Sequence, residues 1–205
     1  MRPVSAIPVL LFAATIFAAP ARAGELRNFE DAALHAVQFV DKTEGWAVGD
    51  DGVVWHTIDA GKVWERVPSG VRASLRSVCF LNPYFGWIAG REELAEGGSA
   101  GVLLCTQDGG LTWKRVLANT LPGLNAVRFA DEKTGYLLGD GSDQYPSGLF
   151  VTSDGGRNWQ PVPGPRVPSW LAGDFSDGKG GALAGAWNRL GTIRNGKAFT
   201  VDMDS

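Results

Sequence analysis

A fixed repeat of phenylalanine and glycine constrains the fold of this chain more than any other feature. Four phenylalanines are each followed six residues later by a glycine, and ten residues later by a second glycine. The four sets are Phe39, Gly45 and Gly49; Phe80, Gly86 and Gly90; Phe129, Gly135 and Gly139; and Phe175, Gly181 and Gly185. Constant offsets of this kind indicate one structural unit of about 40 to 50 residues that occurs four times.

Each unit has the pattern of four short strands. A valine precedes three of the phenylalanines with one residue between them, which is the period-two pattern of a half-buried strand. An apolar run such as Trp46-Ala47-Val48 follows the first glycine and predicts a buried second strand, and a tight turn separates a third strand from a fourth. The sequence therefore predicts an all-β propeller of four-stranded antiparallel blades. The predicted blades are 35–68, 75–117, 124–163 and 171–203.

The turn between the third and fourth strands is the most specific motif. In three units it has the form Thr-x-Asp, one residue, glycine, two residues and tryptophan. We predict that the aspartate accepts backbone N–H groups, the glycine adopts positive φ and the tryptophan ring is buried between strands. The predicted structural residues are Asp59, Gly61, Trp64, Asp108, Gly110, Trp113, Asp154, Gly156 and Trp159. In the fourth unit Asn195-Gly196, a strong two-residue hairpin signal, replaces the motif.

This motif resembles the Asp-box of bacterial neuraminidase repeats, and the wider frame resembles the photosystem II stability/assembly factor family over residues 36 to about 200. The resemblance implies a non-catalytic propeller, periplasmic or lumenal, that binds a protein partner such as a membrane-protein subunit. Ala60, Val63 and Asn158 depart from the motif and are expected to weaken individual turns. Related propellers close rings of about seven blades, so we expect a truncated chain that forms part of a larger ring. Closure as a small ring, or pairing with another copy, are the alternatives.

The N-terminal residues predict export. An apolar stretch follows the basic residue Arg2 and ends at Ala21-Arg22-Ala23, which is the pattern of a secretory signal peptide over residues 1–23. The stretch is shorter than a spanning helix requires. We therefore expect a mature chain from Gly24 that is secreted or periplasmic, or lumenal in a photosynthetic cell, without stable membrane insertion.

Charge and cysteine content narrow the function further. Of 19 basic residues, Arg2 and Arg22 leave with the signal peptide, so the mature chain has 17 basic and 22 acidic residues and a net charge of −5. This balance argues against a nucleic-acid partner. Cys79 and Cys105 fall on the first and third strands of the second unit, about 9 to 10 Å apart. That distance exceeds the roughly 7 Å limit for a disulfide, so both are predicted to be free.

Catalysis is the competing interpretation, because sialidases and several glycosidases also use Asp-box propellers. The chain has no Arg-Ile-Pro signature, and its two histidines, His35 and His56, are not spaced as metal ligands. The sequence predicts no catalytic residue, cofactor or metal ion. The alternative is an exported carbohydrate-active or carbohydrate-binding propeller, which as a glycosidase would need two carboxyls about 5 to 10 Å apart.

The connection between the second and third strands varies most, growing from residues 50–52 to 91–100 and 140–147. Loops of one type emerge at one end of a propeller, and insertions on a rigid scaffold are where recognition residues usually lie. The candidate partner-binding rim comprises Arg91, Glu92, Glu93, Asp143, Tyr145, Trp187 and Arg189. The alternatives are that these loops are solvated padding and that Trp187 belongs to the core.

Overall fold

The all-β prediction is confirmed by a computed structural model, which describes residues 31–118, 120–177 and 180–201. These residues form sixteen strands in four antiparallel sheets of four strands each, and a short 3-10 helix at Asp50–Gly52. In every sheet the strands lie side by side in chain order. The predicted signal peptide, residues 1–23, lies outside the described residues. Within the described part of the chain, no helix has the length and apolar character needed to cross a membrane.

The strand bounds follow the repeat. The first sheet contains β1 Leu34–Phe39, β2 Gly45–Gly49, β3 Val54–Thr57 and β4 Glu65–Arg66. The second contains β5 Ser74–Phe80, β6 Gly86–Glu93, β7 Ser99–Thr106 and β8 Lys114–Val116. The third contains β9 Leu124–Phe129, β10 Gly135–Gly139, β11 Leu149–Thr152 and β12 Gln160–Pro161. The fourth contains β13 Trp170–Asp177, β14 Gly180–Gly185, β15 Arg189–Arg194 and β16 Lys197–Val201.

The four sheets are blades arranged in an open arc. The first strands β1, β5, β9 and β13 contact one another in that order, so they form the inside of the arc. One apolar core fills each of the three spaces between neighbouring sheets. Within the described residues, the first and fourth sheets have no substantial strand contact with each other, so the four blades do not close a ring by themselves.

The phenylalanine–glycine frame has a cross-strand cause. Phe80 pairs directly with Gly86 across β5 and β6, and its ring covers the glycine so closely that a Cβ there would lie 2.7 Å from the ring. The second glycine of the frame, Gly90, lies where β5 is irregular, and a Cβ there would come within 2.4 Å of the Ser74 carbonyl oxygen. The equivalent glycines of the other units meet the same neighbours. Close approach of ring and backbone therefore requires glycine at both positions.

Aromatic rings join one blade to the next. Trp46, the second residue of β2, stacks on Phe80 of the second blade at a centroid distance of 5.3 Å. It also makes an edge-to-face contact with Trp113 at 5.9 Å. Trp87 makes the same contacts with Phe129 and Trp159 of the third blade, at 6.3 and 6.0 Å. We call this three-ring arrangement the aromatic latch. Its geometry is the offset and edge-to-face packing that aromatic rings prefer.

The third interface has no turn tryptophan. Tyr136 stacks on Phe175 at 4.1 Å, but the fourth blade has Asn195-Gly196 at its turn. Trp170, fully buried at the start of β13, joins the same apolar core from the opposite end of the sheet and donates its indole N–H to the Ser147 carbonyl at 2.8 Å. Asn195 and Gly196 both have positive φ, as the predicted tight hairpin requires.

The prediction of free cysteines is confirmed. Cys79 and Cys105 pair with the two sides of Trp87, so β6 separates them, and neither forms a disulfide. Burial raises the pKa of both thiols. The half-buried side chains therefore behave as small apolar groups that pack against the third blade.

The latch predicts that Trp46→Ala destabilises the chain strongly. Trp46 is 1 % exposed, and its removal leaves a cavity between Phe80 and Trp113, so we expect a loss of about 3 to 5 kcal/mol in the free energy of unfolding. The measurement is the urea midpoint followed by circular dichroism. Trp187→Ala is the matched control, because Trp187 is 84 % exposed and should leave the midpoint unchanged. Equal midpoints for Trp46→Ala and the wild type would refute the latch.

Gly110→Ala tests the fit of the latch against the turn. A Cβ at Gly110 would lie 2.2 Å from the Trp46 ring, at a φ of +82°. Gly196 has a similar φ of +70°, but a Cβ there would meet nothing within 4 Å, so Gly196→Ala carries only the backbone strain. We expect Gly110→Ala to cost about 1 to 3 kcal/mol more than Gly196→Ala, since overpacking adds to strain. Equal costs, measured by chemical denaturation, would mean that the ring does not rest on this glycine.

Candidate interaction face

In each blade the four antiparallel strands lie side by side in chain order, so their connections emerge at two opposite ends of the arc. Connections between first and second strands, and between third and fourth strands, emerge at one end, which we call the turn face. Connections between second and third strands emerge at the other end, which we call the rim face. The rim face consists of residues 50–53, 94–98, 140–148 and 186–188, together with the connections between blades at the same end, residues 67–73, 120–123 and 162–169, and the strand ends beside them.

The predicted aspartates lie on the turn face and organise their turns as expected. Asp108 accepts hydrogen bonds from the Thr112 backbone N–H at 3.0 Å and from the Thr106 hydroxyl at 2.7 Å. The Thr106 hydroxyl also accepts the N–H of Gly110 at 2.8 Å, which ties the strand end to the turn. The same bonds recur around Asp59 and Asp154. The glycines of all three turns, Gly61, Gly110 and Gly156, have positive φ.

The departures from the motif have unequal effects. The expectation that Asn158 weakens the third turn is wrong for the hydrogen bonding, because its side-chain amide donates to Asp154 at 2.7 Å, as the Thr112 hydroxyl does to Asp108 at 2.6 Å. Val63 has no side-chain donor, so Asp59 keeps only the backbone and Thr57 bonds. Ala60 adopts the positive φ of the missing glycine, at +64°.

These hydrogen bonds hold the carboxylates in the ionised form. The pKa of Asp108 falls to about 2, chiefly because the Thr112 hydroxyl and backbone N–H donate to it. The pKa of Asp154 also falls to about 2, with the Asn158 amide as the largest cause. The pKa of Asp59 is lowered mainly by the Val63 N–H. Groups with so low a pKa accept hydrogen bonds and are poorly suited to donate a proton near neutral pH.

Acid should therefore loosen these turns within a defined window. A carboxyl with an unfolded pKa of 3.8 and a folded pKa of about 2 stabilises the fold above pH 4, and the contribution is lost as pH falls towards 2. We expect the melting temperature of the wild type to drop between pH 4 and pH 2. The drop should be smaller in the double variant Asp108→Asn/Asp154→Asn, which melts lower at neutral pH.

Asp59→Asn is the matched comparison, because Val63 stands where the other two turns have the side-chain donors Thr112 and Asn158. Asp59→Asn should flatten the acid dependence less than Asp108→Asn or Asp154→Asn made singly. Identical acid profiles for the wild type and the double variant would contradict the assigned role of the two carboxylates.

On the rim face, the second blade differs from the prediction. Arg91, Glu92 and Glu93 were predicted in a loop of residues 91–100, but they lie in β6 and pair with residues 99–101 of β7. A turn at residues 94–98 closes the extended hairpin, with Gly97 and Gly98 at positive φ. Ion pairs account for the extension, since Glu92 and Arg115 of β8 form two parallel bonds of 2.9 and 3.0 Å.

Arg91 is the centre of a polar network that links three blades. Its guanidinium binds the Asp140 carboxylate at 2.6 Å and the Ser99 hydroxyl at 2.7 Å. Ser169, which precedes β13, donates to the other oxygen of Asp140 at 2.7 Å and accepts a hydrogen bond from Asn125 at 2.8 Å. The Arg91 and Asp140 side chains are only about one-fifth exposed, so water competes little for these hydrogen bonds. The network therefore holds the rim face rigid.

Two further rim residues, both in the loop of residues 140–148, contact neighbouring segments of the chain. Asp143 forms an ion pair with Arg166, which lowers the pKa of Asp143, and both side chains remain exposed. Tyr145 was predicted on the rim, but its ring packs against Phe150 at 4.9 Å and is half-buried in the core between the second and third blades. Its main role in the structure is therefore to anchor the loop.

Trp187 is the most exposed large apolar side chain of the rim face. It lies in the connection between β14 and β15, is 84 % exposed and has a φ of +59°. A bulky residue rarely adopts this conformation, and at this exposure the alternative that Trp187 is a core residue is wrong. Arg189 begins β15 opposite Gly185 and is half-buried. Among the candidate rim residues, Asp143, Glu93 and Trp187 are therefore the ones with exposed side chains, and Trp187 is the aromatic one.

A second polar cluster joins the first two blades on this face. Asp50 binds His35 at 2.8 Å and the Ser74 hydroxyl at 2.6 Å through one oxygen, and these bonds lower its pKa, with Ser74 as the larger cause. Ser74 donates to the carboxylate, so the histidine is not oriented to activate it as in a catalytic triad. Among the residues that the structure describes, no group of three His, Cys, Asp or Glu side chains could hold a metal ion.

Sequence reasoning missed these clusters, although a signal was present. Asp50 and Asp140 each follow the second glycine of the frame directly, and Ser74 and Ser169 each lie six residues before a frame phenylalanine. In the structure each aspartate accepts the hydroxyl of the serine in the next blade. The Asp–Ser contact is thus a second joint between blades.

Comparisons with known proteins support the fold. No family model matches the sequence, and no curated protein matches it. Among solved structures, YCF48 bound to D1 peptide has a TM-score of 0.62 and 20 % identity over 82 % of this chain and 52 % of that one. YCF48 from Cyanidioschyzon merolae has a TM-score of 0.59 and 22 % identity over 83 % of this chain and 55 % of that one. This chain therefore spans about half the length of the YCF48 structures.

Enzyme propellers match as well. An ancestral GH74 enzyme has a TM-score of 0.64 and 16 % identity over 82 % of this chain and 25 % of the enzyme. The GH74 enzyme of Niastella koreensis has a TM-score of 0.58 and 14 % identity over 82 % of this chain and 30 % of the enzyme. At such identities the similarity establishes the β-propeller fold and nothing finer.

Proposed function

We propose that this chain is an exported, non-catalytic propeller scaffold whose rim face binds a protein partner. The observation that carries the proposal is the contrast between a rigid rim and one exposed aromatic side chain on it. The Arg91–Asp140 and Glu92–Arg115 pairs hold the loops in place. Trp187 stands out from that surface with 84 % of its area exposed. Rigid surfaces that present an exposed tryptophan are typical of binding hot spots.

The backbone at Trp187 adds to this argument. A φ of +59° at a large side chain costs free energy in the folded state, and such strain concentrates at functional sites. Glycine or asparagine would form the same turn without that cost. A tryptophan at this position is therefore better explained by recognition than by stability.

The similarity to YCF48 bound to D1 peptide supports a polypeptide as the partner class. The sequence resemblance to photosystem II stability/assembly factors indicates the same role. We therefore propose an exposed segment of a membrane-protein subunit as the partner, met on the periplasmic or lumenal side. The acidic mature chain and the ion-paired arginines of the rim favour a peptide with an apolar or aromatic centre over a strongly acidic ligand.

The test is binding of a synthetic D1 peptide to the purified mature chain. We expect Trp187→Ala to weaken binding about 30-fold, since a hot-spot truncation costs about 2 kcal/mol or more. Titration by isothermal calorimetry gives the dissociation constant, and the melting temperature should not change. Tyr84→Ala is the matched control, because Tyr84 is 66 % exposed on the opposite, turn face. Unaltered affinity of Trp187→Ala would exclude the rim, and loss of affinity in Tyr84→Ala would assign binding to the turn face.

A carbohydrate-active or carbohydrate-binding propeller is the second candidate, favoured by the fold similarity to the GH74 enzymes. Against it, four of the rim carboxylates, Asp50, Glu92, Asp140 and Asp143, are engaged by hydrogen-bond donors or arginines. A glycosidase needs one carboxylic acid with a raised pKa, whereas such donors lower the pKa of Asp50 and Asp143. A screen with chromogenic glycosides and a glycan array separates the two candidates, because turnover or sugar binding would promote this second one.

A further inference from the structure

We propose that the turn face of the second blade binds the surface of a lipid bilayer through Tyr84, Phe85 and Leu111. The proposal goes beyond partner binding and does not rest on it, since the rim face lies at the opposite end of the arc. The observation behind it is a surface at the end of one blade that is apolar and almost free of charge. Both neighbours of the second blade belong to the described chain, so the exposure of this surface does not depend on further blades.

Three large apolar side chains are exposed at this end of the blade. Tyr84 and Phe85, in the connection between β5 and β6, are 66 % and 44 % exposed, and Leu111, in the turn between β7 and β8, is 78 % exposed. The two segments are adjacent, because the Gly109 N–H in the turn donates to the Tyr84 carbonyl at 3.0 Å. Apolar side chains of two separate connections therefore share one patch, which we call the apolar tip.

Comparison of the repeats shows that the fold does not require these apolar side chains. The backbone of the first connection is the same in three blades, since Leu81 and its two equivalents each donate the N–H to the carbonyl four residues later at 2.9 Å. The equivalent positions are nevertheless polar in the neighbouring blades. They are Thr43, Glu44 and Lys62 in the first blade, and Lys133, Thr134 and Arg157 in the third.

Asn82 removes a charge that the same connection has in the neighbouring blades. Its side-chain carbonyl accepts the backbone N–H groups of Tyr84 at 2.9 Å and Phe85 at 3.0 Å. Asp41 and Asp131 make the same two bonds in the first and third blades, and these bonds lower the pKa of both carboxyls. Asparagine thus keeps the turn without the charge. The replacement suits a loop that leaves water, because a charge is costly in an apolar environment.

The loss of charge extends over the whole apolar tip. Residues 81–85 and 107–112 contain one charged residue, Asp108, and the Thr106 and Thr112 hydroxyls both donate to its carboxylate. The equivalent segments of the first and third blades contain five charged residues each. These are Asp41, Lys42, Glu44, Asp59 and Lys62, and Asp131, Glu132, Lys133, Asp154 and Arg157.

The size of the apolar tip favours a bilayer over a protein as its partner. The three side chains expose on the order of 350 Å², since a large aromatic side chain has about 150 to 250 Å² to bury. A stable contact with another protein, or with a second copy of this chain, takes about 800 Å² from each partner. A bilayer needs no matching surface, and the affinity scales with the apolar area inserted. Tyr84 suits the headgroup level, where amphipathic aromatic rings concentrate.

Charge indicates which kind of bilayer would bind. The mature chain has a net charge of −5, and the apolar tip contains no lysine or arginine. Basic segments are what draws a protein to anionic lipids, so binding at the apolar tip should depend on insertion of the side chains alone. Zwitterionic lipid is therefore sufficient, and the rim face would point away from the bilayer into water.

The test is cosedimentation of the purified mature chain with phosphatidylcholine vesicles at neutral pH. We expect binding that does not strengthen when the vesicles contain an equal amount of phosphatidylglycerol. The triple variant Tyr84→Thr/Phe85→Thr/Leu111→Lys should bind about tenfold more weakly or less still, since burial of one large apolar side chain contributes about a decade in affinity. Each introduced residue already occupies that position in another blade, so the melting temperature should not change.

Asn82→Asp tests the charge alone, because Asp41 and Asp131 form the same turn. It should weaken vesicle binding about 3- to 10-fold at an unchanged melting temperature. Trp187→Ala is the matched control, because Trp187 is an exposed aromatic residue of the opposite face and its loss should leave vesicle binding intact. A wild type that stays in the supernatant, equal binding of the wild type and the triple variant, or binding to anionic vesicles only would each overturn the proposal.

Sedimentation velocity of the same proteins without lipid distinguishes a bilayer from a second copy of the chain. We expect the wild type and the triple variant to have the same molar mass. A larger mass of the wild type that the triple variant abolishes would assign the apolar tip to contact between copies, against the proposal. The titration with D1 peptide contains no lipid and probes the rim face, so its failure would leave the membrane proposal standing.

Discussion

The stacking of one aromatic ring between two blades is the interaction on which the architecture depends. A single four-stranded blade of this size has too little apolar surface to be stable alone, so most of its folding free energy must come from its neighbours. Trp46 and Trp87 supply this coupling by filling the space between the phenylalanine and the turn tryptophan of the next blade. The turn glycines Gly110 and Gly156 follow from it, because a Cβ at either position would lie 2.2 to 2.3 Å from the tryptophan ring of the preceding blade.

Much of this fold was predictable because the relevant contacts lie within one repeat or between identical positions of adjacent repeats. The phenylalanine–glycine repeat and the Asp108 turn were both identified from spacing alone, because they need only local register and local hydrogen bonds. Free cysteines followed from strand order in the same way. The burial of Trp170 in the third interface was not foreseen, because Trp170 is not one of the tryptophans that recur at a fixed position of the repeat.

The rim was predicted less well, since its geometry depends on contacts between residues far apart in the chain. The polar run Arg91-Glu92-Glu93 was predicted as a loop because its partners are distant in sequence. Glu92 binds Arg115, 23 residues later, and Arg91 binds Asp140, 49 residues later. Tyr145 was assigned to the surface because it lies in a long connection, although its contact with Phe150, five residues later, leaves it half-buried. The exposure of Trp187 depends on a backbone conformation that its residue type does not suggest.

The isolation of the two thiols has a consequence for the redox sensitivity of the folded protein. Cys79 and Cys105 lie on opposite sides of Trp87, and burial keeps both largely protonated. The thiolate is the species that exchanges with disulfides, so oxidants and isomerases have little to act on in the folded chain. The stability of the folded chain should therefore not depend on the redox potential of the compartment around it.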